Sequence, residues 1–209
     1  MVEWVGLEDV LAEAQALGFL GPASLESHLQ HARCFLEMAG EAIGPGACLL
    51  DLGSGGGIPG LVVAFGAPFV RVVLLEGSVK RSTFLRLAVE QLGLRERVDV
   101  LPERAEVVGR QAGWRGRFDA VLARGFGQPA VTAECAAPLL RVGGVLVVSE
   151  PPDGSSTERR WPPGGCALLG LVVEERRSAP RAFVRLRAIS PCGERFPRRT
   201  GVPAKRPLF

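Results

Sequence analysis

The stretch ACLLDLGSGGGIPG (residues 47–60) decides how the rest of this 209-residue chain reads. A short apolar run, Ala47–Leu52, carries Asp51 and breaks into a glycine turn; Ile58–Phe65 beyond it is a Leu/Val/Ala segment of helical length. That order is strand, tight turn, helix. Working toward the C-terminus, Val70–Glu76 is a second apolar run ending in an acid, and Ser78–Leu92 is an amphipathic helix stopped by Gly93. Val98–Leu101 and Phe118–Ala123 read as the third and fourth strands. Pro129–Leu140 reads as a helix closed by a turn over Arg141–Gly144, and Val145–Ser149 as the fifth strand. Four alternations of strand and helix, with apolar rather than alternating strands, predict an α/β fold: a doubly wound, mostly parallel sheet with helices on both faces. Residues 151–165 read as loop, and Ala167–Glu174 with Ala182–Ile189 as a closing antiparallel C-terminal strand pair. Toward the N-terminus, residues 1–46 read as a short helical segment. Leu7, Val10, Leu11, Ala14 and Leu17 share one helical face; Leu25, Leu29, Ala32, Leu36 and Ala39 share another after Pro22. The reading divides the chain into 1–46, a main domain over 47–190, and a basic extended tail over 191–209.

Composition sets outer bounds. Apolar residues at 47% and charged residues at 22% are ordinary for a globular protein of one domain. The start MVEWVGLEDV has acids and no basic n-region, which argues against a signal peptide, and no apolar run approaches the roughly 20 residues of a membrane span. The five cysteines (34, 48, 135, 166 and 192) form no C-x-x-C pair, and the only histidines are His28 and His31. That pattern predicts reduced thiols in a cytoplasmic protein and no metal site. The net charge is +3, yet residues 176–209 carry ten Lys/Arg against Glu194 alone, leaving −6 on the other 175 residues. A basic C-terminal segment on an acidic body suggests a polyanionic partner.

The glycine turn carries the chemistry. Asp51-x-Gly53-x-Gly55-x-Gly57 alternates its glycines, whereas a dinucleotide loop spaces them G-x-G-x-x-G around a pyrophosphate. An alternating turn with an acid two residues ahead of it suits S-adenosylmethionine, which has no phosphate but carries a sulfonium, an ammonium and a carboxylate. Glu76 ends the next strand, about 20 residues on, where an acid accepts both ribose hydroxyls in nucleotide-binding sheets. The expectation is therefore a Rossmann-like class I methyltransferase with S-adenosylmethionine on Asp51, Gly53, Ser54, Gly55, Gly57, Ile58 and Glu76. The site should lie beyond the C-terminal strand ends, lined also by Arg104-Ala105-Glu106 and Arg124-Gly125-Phe126.

Five stretches together resemble one family: LLDLGSGGGIPGL (49–61), VVLLEGSVKRSTFL (72–85), the Arg104-Ala105-Glu106 triplet, FDAVLARGF (118–126) and PRRTGVPAKRPL (197–208). The chain resembles the bacterial 16S ribosomal RNA guanine-N7 methyltransferases of the RsmG/GidB type. The resemblance implies that Ala105 and Glu106 flank the adenine and that Arg124 stands as the catalytic residue at the junction of cofactor and substrate. It also implies that Lys80, Arg81, Arg198, Arg199 and Lys205 face RNA, with ribosomal RNA or the small subunit as partner and the chain acting as a monomer. Phe126 and Trp161 are candidates for stacking on a splayed-out base. Several positions depart from the family pattern: Glu76 where Asp is commoner, His31 at an Asp position, Gly125 for Ala, and Ser149-Glu150-Pro151 in place of Leu-Lys-Gly. An acid at position 150 beside the RNA path is expected to repel phosphate. On the residues alone two other readings stay open: a divergent relative methylating a small molecule or protein, and a non-catalytic cofactor-binding module.

Overall fold

A computed structural model describes residues 6–151 and 157–209. In chain order the elements are α1 (Leu7–Ala16), α2 (Leu25–Ala39), β1 (Cys48–Leu52), α3 (Gly60–Gly66), β2 (Arg71–Leu75), α4 (Val79–Gln91), β3 (Val98–Leu101), α5 (Ala105–Val108), β4 (Phe118–Ala123), α6 (Pro129–Ala136) and β5 (Leu140–Ser149). Then follow α7 (Thr157–Arg160), α8 (Pro163–Ala167), β6 (Leu171–Arg177), β7 (Phe183–Ala188) and α9 (Val202–Lys205). The seven strands form one sheet in the order β3-β2-β1-β4-β5-β7-β6. The first five pair in parallel; β7 runs antiparallel to both β5 and β6. The strand order reverses between β1 and β4, which opens a crevice at their C-terminal ends.

The apolar runs are continuous because both sheet faces are covered. Leu49 packs with α1 to α4 on one face, and its neighbour Leu50 packs with α6 and the C-terminal segment on the other. Helix boundaries follow local chemistry. The Ser24 hydroxyl accepts from the Ser27 N–H at the start of α2, and Pro129 occupies the first turn of α6.

Three boundaries differ from the sequence reading. Residues 151–165, expected as loop, include two short helices, α7 and α8, the latter opening on Pro163. The strand expected from Ala167 begins at Leu171, because α8 and the turn after it consume the residues before it. The turn expected over Arg141–Gly144 is a bulge within β5. Phe118 pairs with Leu140 and Ala120 with Val145, so extra residues are accommodated on one strand, with Gly143 at φ 83°.

Residues 191–209 have little regular structure yet are bound to the body. The Arg115 guanidinium donates to the carbonyls of Cys192 (2.7 Å) and Phe196 (2.7 Å), and Arg110 donates to Pro197 O (2.9 Å). Phe196 is buried. Glu134 of α6, fully buried, accepts from the Arg198 backbone N–H (2.8 Å), Nε (2.8 Å) and Nη2 (2.6 Å). A bidentate guanidinium on a buried carboxylate is a strong restraint, and removing one partner strands the other charge. Arg198→Ala is expected to lower stability by about 2–3 kcal/mol in urea unfolding, while Arg199→Ala, whose side chain is exposed, stays within about 0.5 kcal/mol.

Candidate active site

The glycine loop leaves β1 at Leu52 and enters α3 at Gly60, and its donors are largely spent inside the protein. The buried carboxylate of Asp51 accepts from the Gly60 N–H (2.9 Å), Gly57 N–H donates to Ser54 O (2.7 Å), and Ser54 Oγ donates to Asp51 O (3.0 Å). A pyrophosphate loop leaves such donors for the ligand; here a protein carboxylate occupies the place of the anion. Asp51 thus lies behind the loop and lines none of the three cavities described below. Its side chain, expected from the sequence to bind the cofactor, holds the loop in shape. Gly60 must be glycine for the same reason, since a Cβ would fall 2.6 Å from Asp51 Oδ2.

Glu76 closes the other side of the crevice from the end of β2. Its Oε2 accepts from Gly55 N–H (2.9 Å) and its Oε1 from Ser78 N–H (2.8 Å), so one carboxylate ties the loop to the start of α4. A carboxylate accepts about four hydrogen bonds, which leaves capacity for a ligand diol. Glu76 lines a cavity of about 400 Å³ together with Gly53, Gly77, Ala105, Glu106 and Phe126. Gly53 sits at φ 74°, and a Cβ there would lie 2.6 Å from the Phe126 ring. Glu106 is held from behind by Gly201 N–H (3.0 Å) and Arg104 (3.5 Å). Burial pushes its carboxyl up, but the Gly201 N–H, its own N–H and Arg104 outweigh that and hold it below the usual value.

A second cavity, about 170 Å³, lies over the loop itself, lined by Gly53–Gly56, Ile58, Arg124 and the connector Phe19-Leu20-Gly21. The connector was invisible to the sequence reading. A Cβ on Gly56 would strike the Leu20 side chain at 2.7 Å, so the loop and connector touch backbone to side chain. A pair of apolar residues between two helix breakers was the available signal. The fit to S-adenosylmethionine is good on these observations: glycine-floored space at the loop for the amino-acid end, a carboxylate at the β2 terminus for the ribose, and Ala105 beside apolar Val131 for a base.

Arg124, at the end of β4, belongs to both the loop cavity and a third cavity of about 330 Å³, lined by His31, Phe126, Glu150, Arg160 and Trp161 among others. Its Nη2 donates to His28 Nδ1 (2.8 Å), and His28 Nε2 lies 3.0 Å from Gly21 O. A guanidinium has no acceptor, so Nδ1 is the bare nitrogen and Nε2 carries the proton. The chain Gly21–His28–Arg124 fixes Arg124 from the N-terminal helices. His31, facing the third cavity, is held neutral near neutral pH: burial, then Arg124, Arg181 and His28, pull its pKa to about 4.

The other expected residues fall in different places. Arg81 lines the cavity that Glu76 also lines, and the neighbouring Lys80 is exposed. Arg199 and Lys205 are exposed on the tail, whose Ala204 also lines that cavity. Arg198 is committed to Glu134 and so is not disposed for RNA. Trp161 is fully buried and forms a wall rather than a free stacking face; half-buried Phe126 stands between the first and third cavities. Glu150, expected to repel phosphate, is half-buried and paired: Arg160 Nε donates to its Oε2 (2.6 Å) and Trp161 Nε1 to its Oε1 (3.1 Å). Among the described residues no cluster of three or more His, Cys, Asp or Glu could hold a metal, all five cysteines are free, and no helix is long and apolar enough to cross a membrane.

The family model for rRNA small subunit methyltransferase G matches residues 25–150. The chain belongs to that family. The ribosomal RNA small subunit methyltransferase G of Rubrobacter xylanophilus is 42% identical over 199 residues, covering 88% of this chain and 72% of that one. Its namesake from Prochlorococcus marinus (strain MIT 9313) is 37% identical, covering 78% and 68%. Membership makes the chain an S-adenosylmethionine-dependent methyltransferase. Solved structures agree on the fold alone. An O-methyltransferase from Bacillus cereus in complex with SAH superposes with TM-score 0.60 at 19% identity, covering 88% of this chain and 90% of that one. The [4+2]-cyclase SpnF superposes at 0.62 and 15%, covering 91% and 94%. A cyclase on the same scaffold shows why the fold does not choose the reaction.

Two predictions follow from the crevice of this methyltransferase G relative. Burial pushes the Asp51 carboxyl up from 3.8 to about 7, with the Gly60 N–H pulling the other way. The unfolded chain then releases this proton first as pH rises, so the folded state loses stability between about pH 4 and pH 7 and the loss is complete above that. Asp51→Asn keeps an acceptor for Gly60 N–H and is expected to flatten that slope in urea unfolding at pH 5 and pH 8 without cofactor. Gly53→Ala combines a positive φ with the 2.6 Å clash on Phe126, and is expected to weaken S-adenosylmethionine binding at least 10-fold by calorimetry.

Proposed function

We propose that this chain methylates N7 of a guanine in 16S ribosomal RNA, acting in the cytoplasm as a monomer. The observation that carries the reading is the shared wall: Arg124, Gly125 and Phe126 border both the cofactor crevice and a third cavity of about 330 Å³. That volume is in the range of small-ligand sites, about 300–1,000 Å³. In a member of the methyltransferase G family, a cavity abutting the cofactor crevice is the natural place for an acceptor base. The relatives' printed names point to the small-subunit ribosomal RNA as the nucleic acid.

When bound, S-adenosylmethionine supplies an electrophilic methyl group on a sulfonium. Guanine N7 has a lone pair and no proton, so the protein needs no general base. Its work is positioning and the management of charge. Arg124, clamped by His28, gives the junction a fixed donor. Phe126 offers a half-buried ring against which a splayed-out base can lie. Arg81 and Lys80 at the start of α4, with Arg199 and Lys205 on the tail, are exposed cations available to phosphates. The acid at 150, a motive for a non-RNA substrate in the sequence, loses that force because Arg160 pairs with it and Trp161 donates to it.

The test is methyl transfer from labelled S-adenosylmethionine to 16S ribosomal RNA and to 30S subunits from cells lacking the modification, with nucleoside mass spectrometry. The expected product is 7-methylguanosine at one position. Absence of incorporation into both substrates, with cofactor binding intact, would overturn the reading.

A further inference from the structure

The third cavity is lined by two unlike sets of residues. Arg124 and Phe126 also border the cofactor crevice. Glu150, just after β5, is joined by Arg160 at the end of α7 and by Trp161. The Glu150 side chain is only 6% exposed, an uncommon place for a carboxylate, and it is held at two points: Oε2 by Arg160 Nε at 2.6 Å and Oε1 by Trp161 Nε1 at 3.1 Å. Each carboxylate oxygen accepts two hydrogen bonds, so among the described residues one acceptor site on each oxygen is unspent. Arg160 and Trp161 fix the plane of the carboxylate but do not exhaust it.

We propose that Glu150 reads the Watson–Crick edge of the acceptor guanine, accepting from N1–H with one oxygen and from the 2-amino group with the other. This rests on the guanine-N7 reading of the same site. The purine's own shape supports it. N7 lies on the opposite side of the ring system from N1 and the 2-amino group. A guanine with N7 toward Arg124 and Phe126 can therefore turn its two donors toward Glu150. The O6 carbonyl, between the two edges, is an acceptor, and Arg124 in the cavity wall is a donor for it. Adenine presents an acceptor at N1 and no 2-amino group, so the buried carboxylate would face a lone pair and stay unpaired, which is costly.

The same contact assists the reaction. N7 takes the methyl group with its own lone pair and releases no proton, so the purine gains a full positive charge as the sulfonium loses its own. A carboxylate hydrogen-bonded to the far edge is stabilised by that charge as it develops, and it is already desolvated and oriented. Trp161 and Arg160 are positioning residues: they hold Glu150 and touch the base through it.

The experiment uses the whole protein and a 16S ribosomal RNA assembled by splinted ligation, carrying either guanosine or inosine at the nucleotide the wild-type protein methylates. Inosine keeps N7, O6 and N1–H and lacks only the 2-amino group. The wild type is expected to prefer guanosine by about 10-fold or more in kcat/KM. In Glu150→Gln that preference is expected to collapse toward unity, since the amide presents a donor where the 2-amino group needs an acceptor. A merely structural role for Glu150 would lower activity on both RNAs equally and leave the ratio unchanged, which would overturn the proposal. So would a wild type indifferent to inosine, a result that needs no variant to fold. Failure of the wild type to methylate the all-guanosine RNA would instead overturn the guanine-N7 reading, and this proposal with it.

Discussion

A carboxylate sealed beneath the glycine loop sets the geometry on which the rest depends. Asp51 is 1% exposed, and the Gly60 N–H is the hydrogen bond its Oδ2 accepts. Burying a charge there is unfavourable, as the raised pKa of about 7 records. In exchange the first free donor of α3 is occupied from inside the protein. The loop from Gly53 to Gly57 is thereby directed over the strand ends rather than wrapped round an external anion. Glu76 continues the pattern from β2, with both oxygens on backbone N–H groups of the flanking segments. The cofactor crevice is built from two carboxylates that spend part of their capacity on the scaffold. One is fully internal; the other still faces the cavity.

The N-terminal helices are joined to this crevice by a single polar chain. Gly21 O, His28 and Arg124 are linked in series, and the connector Phe19-Leu20-Gly21 lies on the glycine loop. Displacing α2 would therefore alter the loop cavity and the Arg124 guanidinium together. His28 acts by its tautomer, with Nδ1 accepting and Nε2 donating. His31, one turn on, is neutral, stacks on Phe35 and meets Phe183 edge-on.

How much of this was legible depends on whether a signal was local. β1 to β4 were readable almost to the residue because buried parallel strands are continuous apolar runs bounded by glycines or acids. The loop, Glu76 and Arg124 were readable because spacing along the chain places them at strand ends. The bulge in β5 was not, since Val-Gly-Gly carries the same local signal whether the strand ends or absorbs extra residues. Glu134 within PAVTAECA reads as a surface acid on a short helix, and only the docked tail reveals why it is buried. Glu150 read as a repulsive charge because its partners, Arg160 and Trp161, lie across an intervening segment that no periodicity bridges.

The basic C-terminal segment shows how sequence charge and surface charge part company. Its excess suggested a tail for a polyanion, yet much of it is matched within the protein. Arg177 pairs with Glu37, Arg185 and Arg187 share Glu174 and Glu41, Arg198 pairs with Glu134, and Arg181 donates to Ser27. These contacts clamp β6 and β7 to α2 and its C-terminal end and fix the tail against α6. Arg176, Arg195, Arg199, Lys205 and Arg206 of the segment stay exposed, as do Lys80 and Arg81 on α4, and Arg81 and the tail's Ala204 line one cavity. A diffuse basic tail would attract any polyanion. Here half of the segment's ten cations, Arg177, Arg181, Arg185, Arg187 and Arg198, are engaged within the protein, so the charge excess read from the sequence overstates what a polyanion can meet.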